Sequence, residues 1–181
     1  AASDGYDLQA QYAKLAVIEM APDTSYLTAE ERDVVNLLIQ ASGYMDEIYL
    51  RQRFAANPQV RQAISRSRRA DRDLLLTMFD RYYGAWDDLD EFHPFWGTEP
   101  LPEGAGFYPT DLTREEFDAY LTAHPAQKGE LLAPYTVVKR EGDGLVAVPY
   151  SVEYREWLEP AAKLLEQAAQ RPSNPSLKKF L

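Results

Sequence analysis

From Tyr82 to Tyr108 the chain reads YYGAWDDLDEFHPFWGTEPLPEGAGFY, and this stretch limits the possible folds more than any other. Eight of its 27 residues are aromatic: Tyr82, Tyr83, Trp86, Phe92, Phe95, Trp96, Phe107 and Tyr108. Pro94, Pro100 and Pro102 alternate with Gly84, Gly97, Gly104 and Gly106, so neither a helical nor a strand period survives. A connection this long inside a compact domain is functional, or it is disordered. Disorder suits segments poor in aromatic residues, because rings bury enough area to offset the entropy of ordering. The expectation is a long ordered aromatic loop over 84–112 whose rings lie against the flanking helices. Two readings follow: the rings plug the core, or some of them line a ligand groove.

The rest of the composition narrows the classes. A length of 181 residues favours one domain, and 45% hydrophobic with 12% aromatic residues can fill a core. The mean hydropathy is -0.46, and no apolar run approaches the ~20 residues of a membrane helix. A formal net charge of -10 leaves no basic excess for phosphates, which argues against a general nucleic-acid binder. With no cysteine, disulfides, thiolate metal sites and thiol nucleophiles are excluded together. The Ala-Ala-Ser start suits a processed chain, and a periplasmic or secreted setting is favoured over a cytoplasmic one.

Local signals place the elements. Residues 1–13 are polar and read as loose. Lys14 to Met20 can alternate as a short strand. Thr28-Ala29-Glu30-Glu31 is a capping box opening a helix to about Ala56, with Val34, Leu38, Ala41, Met45 and Ile48 on one face. Gly43 within it suggests close helix contact. Seven arginines fall between 51 and 72 (Arg51, Arg53, Arg61, Arg66, Arg68, Arg69 and Arg72), read as a solvated face paired with carboxylates or as a patch for an acidic partner. A second helix spans about Ala70 to Tyr83, with Gly84 as its C-cap. Thr113-Arg114-Glu115-Glu116 is a second capping box, and Pro125 stops that helix after His124.

Tyr135 to Arg140 and Leu145 to Val148 are β-branched runs joined by Glu141-Gly-Asp-Gly144, which predicts a hairpin over 135–148. Two strands alone are marginal in water, so a third partner is expected, from residues 15–20 or from polypeptide outside these residues. A last full helix runs from about Ser151 to Gln170 with Tyr154, Leu158, Ala161, Leu165 and Ala168 on one stripe. Asn174-Pro175 opens a further helix within 172–181 that starts and does not run on. The fold class expected is α+β, predominantly helical, with helices packed on one small antiparallel sheet.

Chemical motifs are sparse. His93 and His124 are far apart in sequence, and no H-E-x-x-H pair, phosphate-binding glycine loop or G-x-S-x-G elbow occurs. Asp87, Asp88, Asp90 and Glu91 could hold a hard cation, yet they lack the glycine spacing of an EF-hand, and a solvated or helix-capping role competes. On chemistry alone no catalytic residue is assigned.

An ordered set of stretches carries a resemblance. It comprises Leu27-Thr-Ala-Glu-Glu31, Leu38-Ile-Gln-Ala-Ser-Gly-Tyr-Met-Asp46-Glu and Asp80-Arg-Tyr-Tyr-Gly-Ala-Trp-Asp-Asp-Leu-Asp90. Gly106-Phe-Tyr-Pro-Thr-Asp-Leu-Thr-Arg-Glu-Glu-Phe117, Tyr135-Thr-Val-Val-Lys-Arg140, Leu145-Val-Ala-Val-Pro-Tyr150 and Asn174-Pro-Ser-Leu-Lys-Lys-Phe-Leu181 follow. Together, over roughly 15–181, they resemble the N-terminal part of bacterial zinc hydrolases of the dipeptidyl-peptidase III type. The resemblance implies a two-lobed metallopeptidase with a helical H-E-x-x-G-H motif, a further glutamate ligand and a peptide cleft between its lobes. None of that motif is in these 181 residues, so the resemblance implies zinc in the full-length protein and no cofactor here. It makes the remainder of the same polypeptide the main partner, with peptide substrate beyond it, and Trp86, Phe95, Trp96, Tyr108 and Tyr150 candidates for the cleft wall. Some proteins of this kind carry a Nudix label; no Nudix helix is found here. The competing readings are a stand-alone module that binds peptide or carbohydrate through the aromatic loop, and a purely structural docking domain.

Overall fold

A computed structural model describes residues 5–181. About half of it is helical, with two small antiparallel sheets of two strands each, so the α+β class holds. Where the length favoured one domain, the chain divides into two compact units. One joins the described residues up to Val17 with Leu50–Pro149; the other joins Ile18–Tyr49 with Tyr150–Leu181.

The first unit contains α1 (Leu8–Tyr12), inside the stretch expected to be loose. Asp7 caps it by accepting from the Ala10 amide at 3.1 Å. The strand expected over Lys14–Met20 is absent. Val17, Ile18 and Met20 are all well exposed, so the alternation faces no core and no strand pairs with it. Helices α3 (Asn57–Arg66) and α4 (Arg72–Tyr82) pack on one another and bury Ile64, Leu75, Met78 and Phe79 completely. Tyr82, Ala85, Trp86 and Phe95 complete this first core, so rings from the aromatic loop fill it.

Helix α4 ends on Tyr83, whose φ of 52° is left-handed, and the Gly84 amide closes onto the Phe79 carbonyl at 3.2 Å. The expected glycine cap is therefore displaced by one residue. Gly84 is closely packed: a Cβ there would lie 3.3 Å from the Trp86 ring, a tight contact, and 3.5 Å from the Asn57 amide nitrogen, an ordinary one.

The aromatic stretch contains a short sheet that its composition hid. Strand β1 (Trp86–Asp87) pairs antiparallel with β2 (His93–Pro94), and Glu91 and Phe92 turn between them at φ of 50° and 60°. Further on, the Gly106 amide donates to the Gln52 carbonyl at 2.8 Å, against the end of α2 (Ala29–Arg53). A Cβ at Gly106 would overlap the Arg51 carbonyl, so only glycine fits. The next carbonyl, Phe107, accepts from the Val138 amide at 2.8 Å. Val138 lies in β3 (Thr136–Glu141), which pairs with β4 (Gly144–Pro149) from Thr136↔Pro149 to Glu141↔Gly144. The turn is thus two residues, shorter than the four read from sequence, with Gly142 left-handed at φ 58°. The hairpin's support is the Phe107 backbone and the helices α5 (Arg114–Ala123) and α6 (Lys128–Leu131), in place of residues 15–20. Leu121, Leu131, Val138 and Leu145 form this second core.

In the second unit, the Thr28 capping box is complete. The Thr28 amide donates to Glu31 at 2.8 Å and the Glu31 amide to the Thr28 hydroxyl at 3.2 Å. Val34, Ala41 and Ile48 are buried as their spacing requires, while Met45 is exposed. The long helix expected over 151–170 is two: α7 (Tyr150–Glu153) and α8 (Arg155–Ala169), broken at the buried, non-helical Tyr154. Pro160, inside α8, has no N–H for the Glu156 carbonyl. Helix α9 (Pro175–Phe180) starts at Asn174, whose side chain accepts from the Ser176 and Leu177 amides.

Asn57 is fully buried and donates to the Leu50 carbonyl at 2.9 Å and to the Tyr83 carbonyl at 2.7 Å. Asn57→Ala removes both hydrogen bonds, and a urea denaturation curve should show a loss of about 1–3 kcal/mol. Gly106→Ala should lower stability by about 1–3 kcal/mol or more, because α2 and the loop must separate to admit the methyl group.

Candidate functional site

Helix α5 opens where Thr113 accepts from the Glu116 amide at 3.1 Å. The chain before it is held from the hairpin side: Arg140 donates to Asp111 at 2.8 Å and, through two nitrogens, to Glu116 at 2.9 and 3.0 Å. This fork holds the Glu116 carboxyl below its ordinary range, chiefly by the Arg140 hydrogen bonds. Beside it lies a groove of about 340 Å³ lined by Glu103, Gly104, Tyr108, Phe117 and the run Leu112-Thr113-Arg114. Gly104 keeps it open and close-packed at once, since a Cβ there would sit 2.7 Å from that of Tyr108. Tyr108 and Phe117 meet edge to face at 5.2 Å.

Of the five aromatic residues singled out from the sequence, the four in the first unit do not share one groove. Trp86 and Phe95 are buried in the first core. Phe54 packs edge-on to Trp86 at 5.3 Å, and the indole nitrogen donates to the Glu99 carbonyl at 3.0 Å. Burial leaves neither ring a face for a ligand. Trp96 is half-buried against the same core, with the Arg69 guanidinium 6.0 Å from its ring. Tyr108 borders the α5 groove and is packed on the second core. Tyr150 belongs to the second unit, half-buried and edge-on to Tyr154 at 5.3 Å. Leu112, Arg114 and Phe117 were missed as groove residues, although the capping box at Thr113 marked where their helix begins.

The acidic run is largely committed to protein partners. Asp87 is fully buried; it accepts from the Tyr6 hydroxyl at 2.8 Å and from the Leu89 amide at 2.9 Å. Burial first, and the Asp87 carboxylate second, push the Tyr82 phenol up to about 12 and raise that of Tyr6 as well. Asp88 pairs with Arg53 at 2.7 Å. The arginine-rich stretch is a paired, mostly solvated face: Arg61 grips Asp80 and Arg69 grips Asp71, each through two nitrogens, and Arg72 meets Asp73.

Both histidines are stacked on tyrosines. His93 lies flat on Tyr6 at 4.5 Å; His124 lies on Tyr120 at 4.0 Å with its Nδ1 3.0 Å from the Tyr120 carbonyl. Among the described residues no three His, Asp or Glu side chains converge on a metal position, so the donors present do not fit zinc. In the second unit a groove of about 570 Å³ runs between α2 and α8, lined by Gly43, Tyr44, Glu47, Trp157, Pro160 and Lys163 among others. Gly43, expected at a close helix contact, borders open space there. No helix of the described residues is long and apolar enough to cross a membrane.

The chain is similar in sequence and structure to dipeptidyl-peptidase III proteins, and it spans about a third of the length of those it matches. The structure superposes on dipeptidyl-peptidase III of Caldithrix abyssi with a TM-score of 0.90 and 40% identity, covering 95% of this chain and 33% of that one. Against dipeptidyl-peptidase III of Corallococcus sp. strain EGB the TM-score is 0.89 and the identity 33%, covering 96% of this chain and 33% of the other. The sequence is also 24% identical over 226 residues to Nudix hydrolase 3 of Arabidopsis thaliana, covering 96% of this chain and 29% of that protein. No family model matches.

Replacing Arg140 by Ala should return the Glu116 carboxyl to ordinary titration. In the parent its NMR midpoint should fall below the usual glutamate value. The carboxylate's contribution to stability is then present above the unfolded-state midpoint and lost as pH drops through the folded one. Both groups are solvent-accessible, so the effect on stability should be small and weaken with salt.

Proposed function

We propose that these 181 residues are the supporting, non-catalytic part of a dipeptidyl-peptidase III-like zinc peptidase, with the Tyr108 groove contributing to its peptide cleft. One observation carries this reading. Near-complete coverage of the chain, at 40% identity, falls on only 33% of a much longer relative. The zinc ligands and general base then lie in polypeptide outside these residues, where an H-E-x-x-G-H helix would supply them. A zinc ion held there would polarise the scissile carbonyl and activate water. This chain's part is to carry Tyr108, Phe117 and Arg114 on a fixed helix start, offering apolar faces and a cation to an extended peptide.

The groove also supports a second reading, in which the chain binds peptide or carbohydrate on its own through Tyr108 and Phe117. Two measurements separate them. The isolated 181 residues should hold no stoichiometric zinc and release no dipeptide from dipeptidyl arylamides, whereas the polypeptide continued through an H-E-x-x-G-H helix should do both. Stoichiometric zinc with hydrolysis in the isolated chain overturns the first reading. Saturable sugar or peptide binding by the isolated chain, lost in Tyr108→Ala, would favour the second.

A further inference from the structure

We propose that the groove between α2 and α8, in the second unit, is a binding site for a neutral saccharide. Two local anomalies meet there. Glycine and proline are the residues that least favour a helix interior, and each of these helices carries one on the wall of this groove. Gly43 lies inside the 25 residues of α2, and Pro160 lies inside α8. Packing does not account for Gly43: its φ is not left-handed, and a Cβ built on it would meet nothing within 4 Å. No turn or close helix contact requires the missing side chain. Its absence deepens the groove and opens the α2 backbone to close approach by an occupant. On the α8 wall, Pro160 deprives the Glu156 carbonyl, one turn earlier on the same face, of its usual donor. Positions where a chain breaks its own local rules without a gain in packing are where function is expected.

The lining sets the chemistry of the occupant. Trp157, Pro160 and Leu164 are half-buried, and with the Tyr44 ring they form an apolar floor. The remaining side chains, Gln40, Glu47, Lys163 and Gln167, are exposed and polar. One carboxylate and one ammonium offset each other, so the groove does not select an ion by charge. The polar groups include both donors and acceptors. Gln40 gives its amide N–H to the Asn36 carbonyl at 3.1 Å, which leaves its Oε1 to accept from a ligand. A matching occupant is uncharged, carries several groups that both donate and accept, and offers a C–H face to an aromatic ring. A pyranose ring has all three properties. A docked amphipathic helix lacks the hydroxyls and is held by apolar anchors, which the exposed polar residues here do not offer. The volume of about 570 Å³ falls within the roughly 300–1,000 Å³ of small-molecule sites.

The test titrates the isotopically labelled 181-residue chain with maltose, cellobiose and N,N′-diacetylchitobiose while the Trp157 indole N–H resonance is followed. At least one of the three should shift that resonance saturably, with a Kd of about 1 mM or tighter. Gly43→Leu supplies a better helix former and fills the groove. Its urea midpoint should not fall, and its affinity for the saccharide should drop at least about tenfold. Gln167→Ala changes an exposed residue and should weaken binding about threefold or more, the effect of one hydrogen bond. Failure of all three saccharides to saturate overturns the proposal, as do saturable shifts confined to Trp86 or Trp96, or unchanged affinity in Gly43→Leu. A dimer in sedimentation that Gly43→Leu dissociates would assign the groove to a second copy and overturn it as well.

Discussion

Two consecutive residues hold the first unit together. At Gly106 the aromatic loop comes close enough to the last turn of α2 to donate to the Gln52 carbonyl; at Phe107 it accepts from β3. One helix end and one strand edge, both lacking partners of their own, are thereby satisfied by adjacent peptide groups. The spacing leaves no room for a side chain at Gly106. Everything that positions the Tyr108 groove follows from this stitch. Tyr108 is the next residue, and the Arg140 fork then sets the course of the chain into α5.

Buried polar groups do the corresponding work in the first core. Asn57 joins the end of α2 to the left-handed cap of α4, and the Asp87 carboxylate ties Tyr6 and the turn at Leu89 to β1. Such groups cost about 1–3 kcal/mol each when left unpaired. Their value lies in specifying one arrangement of elements that apolar packing alone would tolerate in several.

What the sequence made legible was local. The Thr28, Thr113 and Asn174 caps and the β3–β4 pairing all stand close to where spacing put them, because each depends on residues a few positions apart. The helix stripes were right where tertiary contact agreed, at Val34, Ala41, Ile48, Ala161 and Ala168, and failed at Met45 and Leu165, which are exposed, and at Tyr154, which is buried but breaks the helix. The support of the hairpin by Phe107 was not legible, since a backbone carbonyl leaves no residue signature. Nor was the shift of the α4 cap to Tyr83, a residue whose ring gives no local preference for the left-handed position. The candidate site was half legible. Tyr108 could be named from its ring, but its neighbours Leu112, Arg114 and Phe117 are brought to it only by the fold.

Magnitudes decide how the aromatic loop should be understood. The ion pairs of the arginine stretch are mostly solvated, and pairs of that kind contribute about 0–1 kcal/mol. Burying one large apolar side chain is worth about 1.5–3 kcal/mol. The rings of Tyr82, Trp86 and Phe95, buried with Phe79 and Ile64, therefore outweigh the visible charge pattern in holding this unit. A ring that supplies such stabilisation cannot also be free to receive a ligand. The capacity for recognition then falls to residues at the margin of the cores, and Tyr108 is one such ring: it meets Phe117 edge to face, and both border open volume.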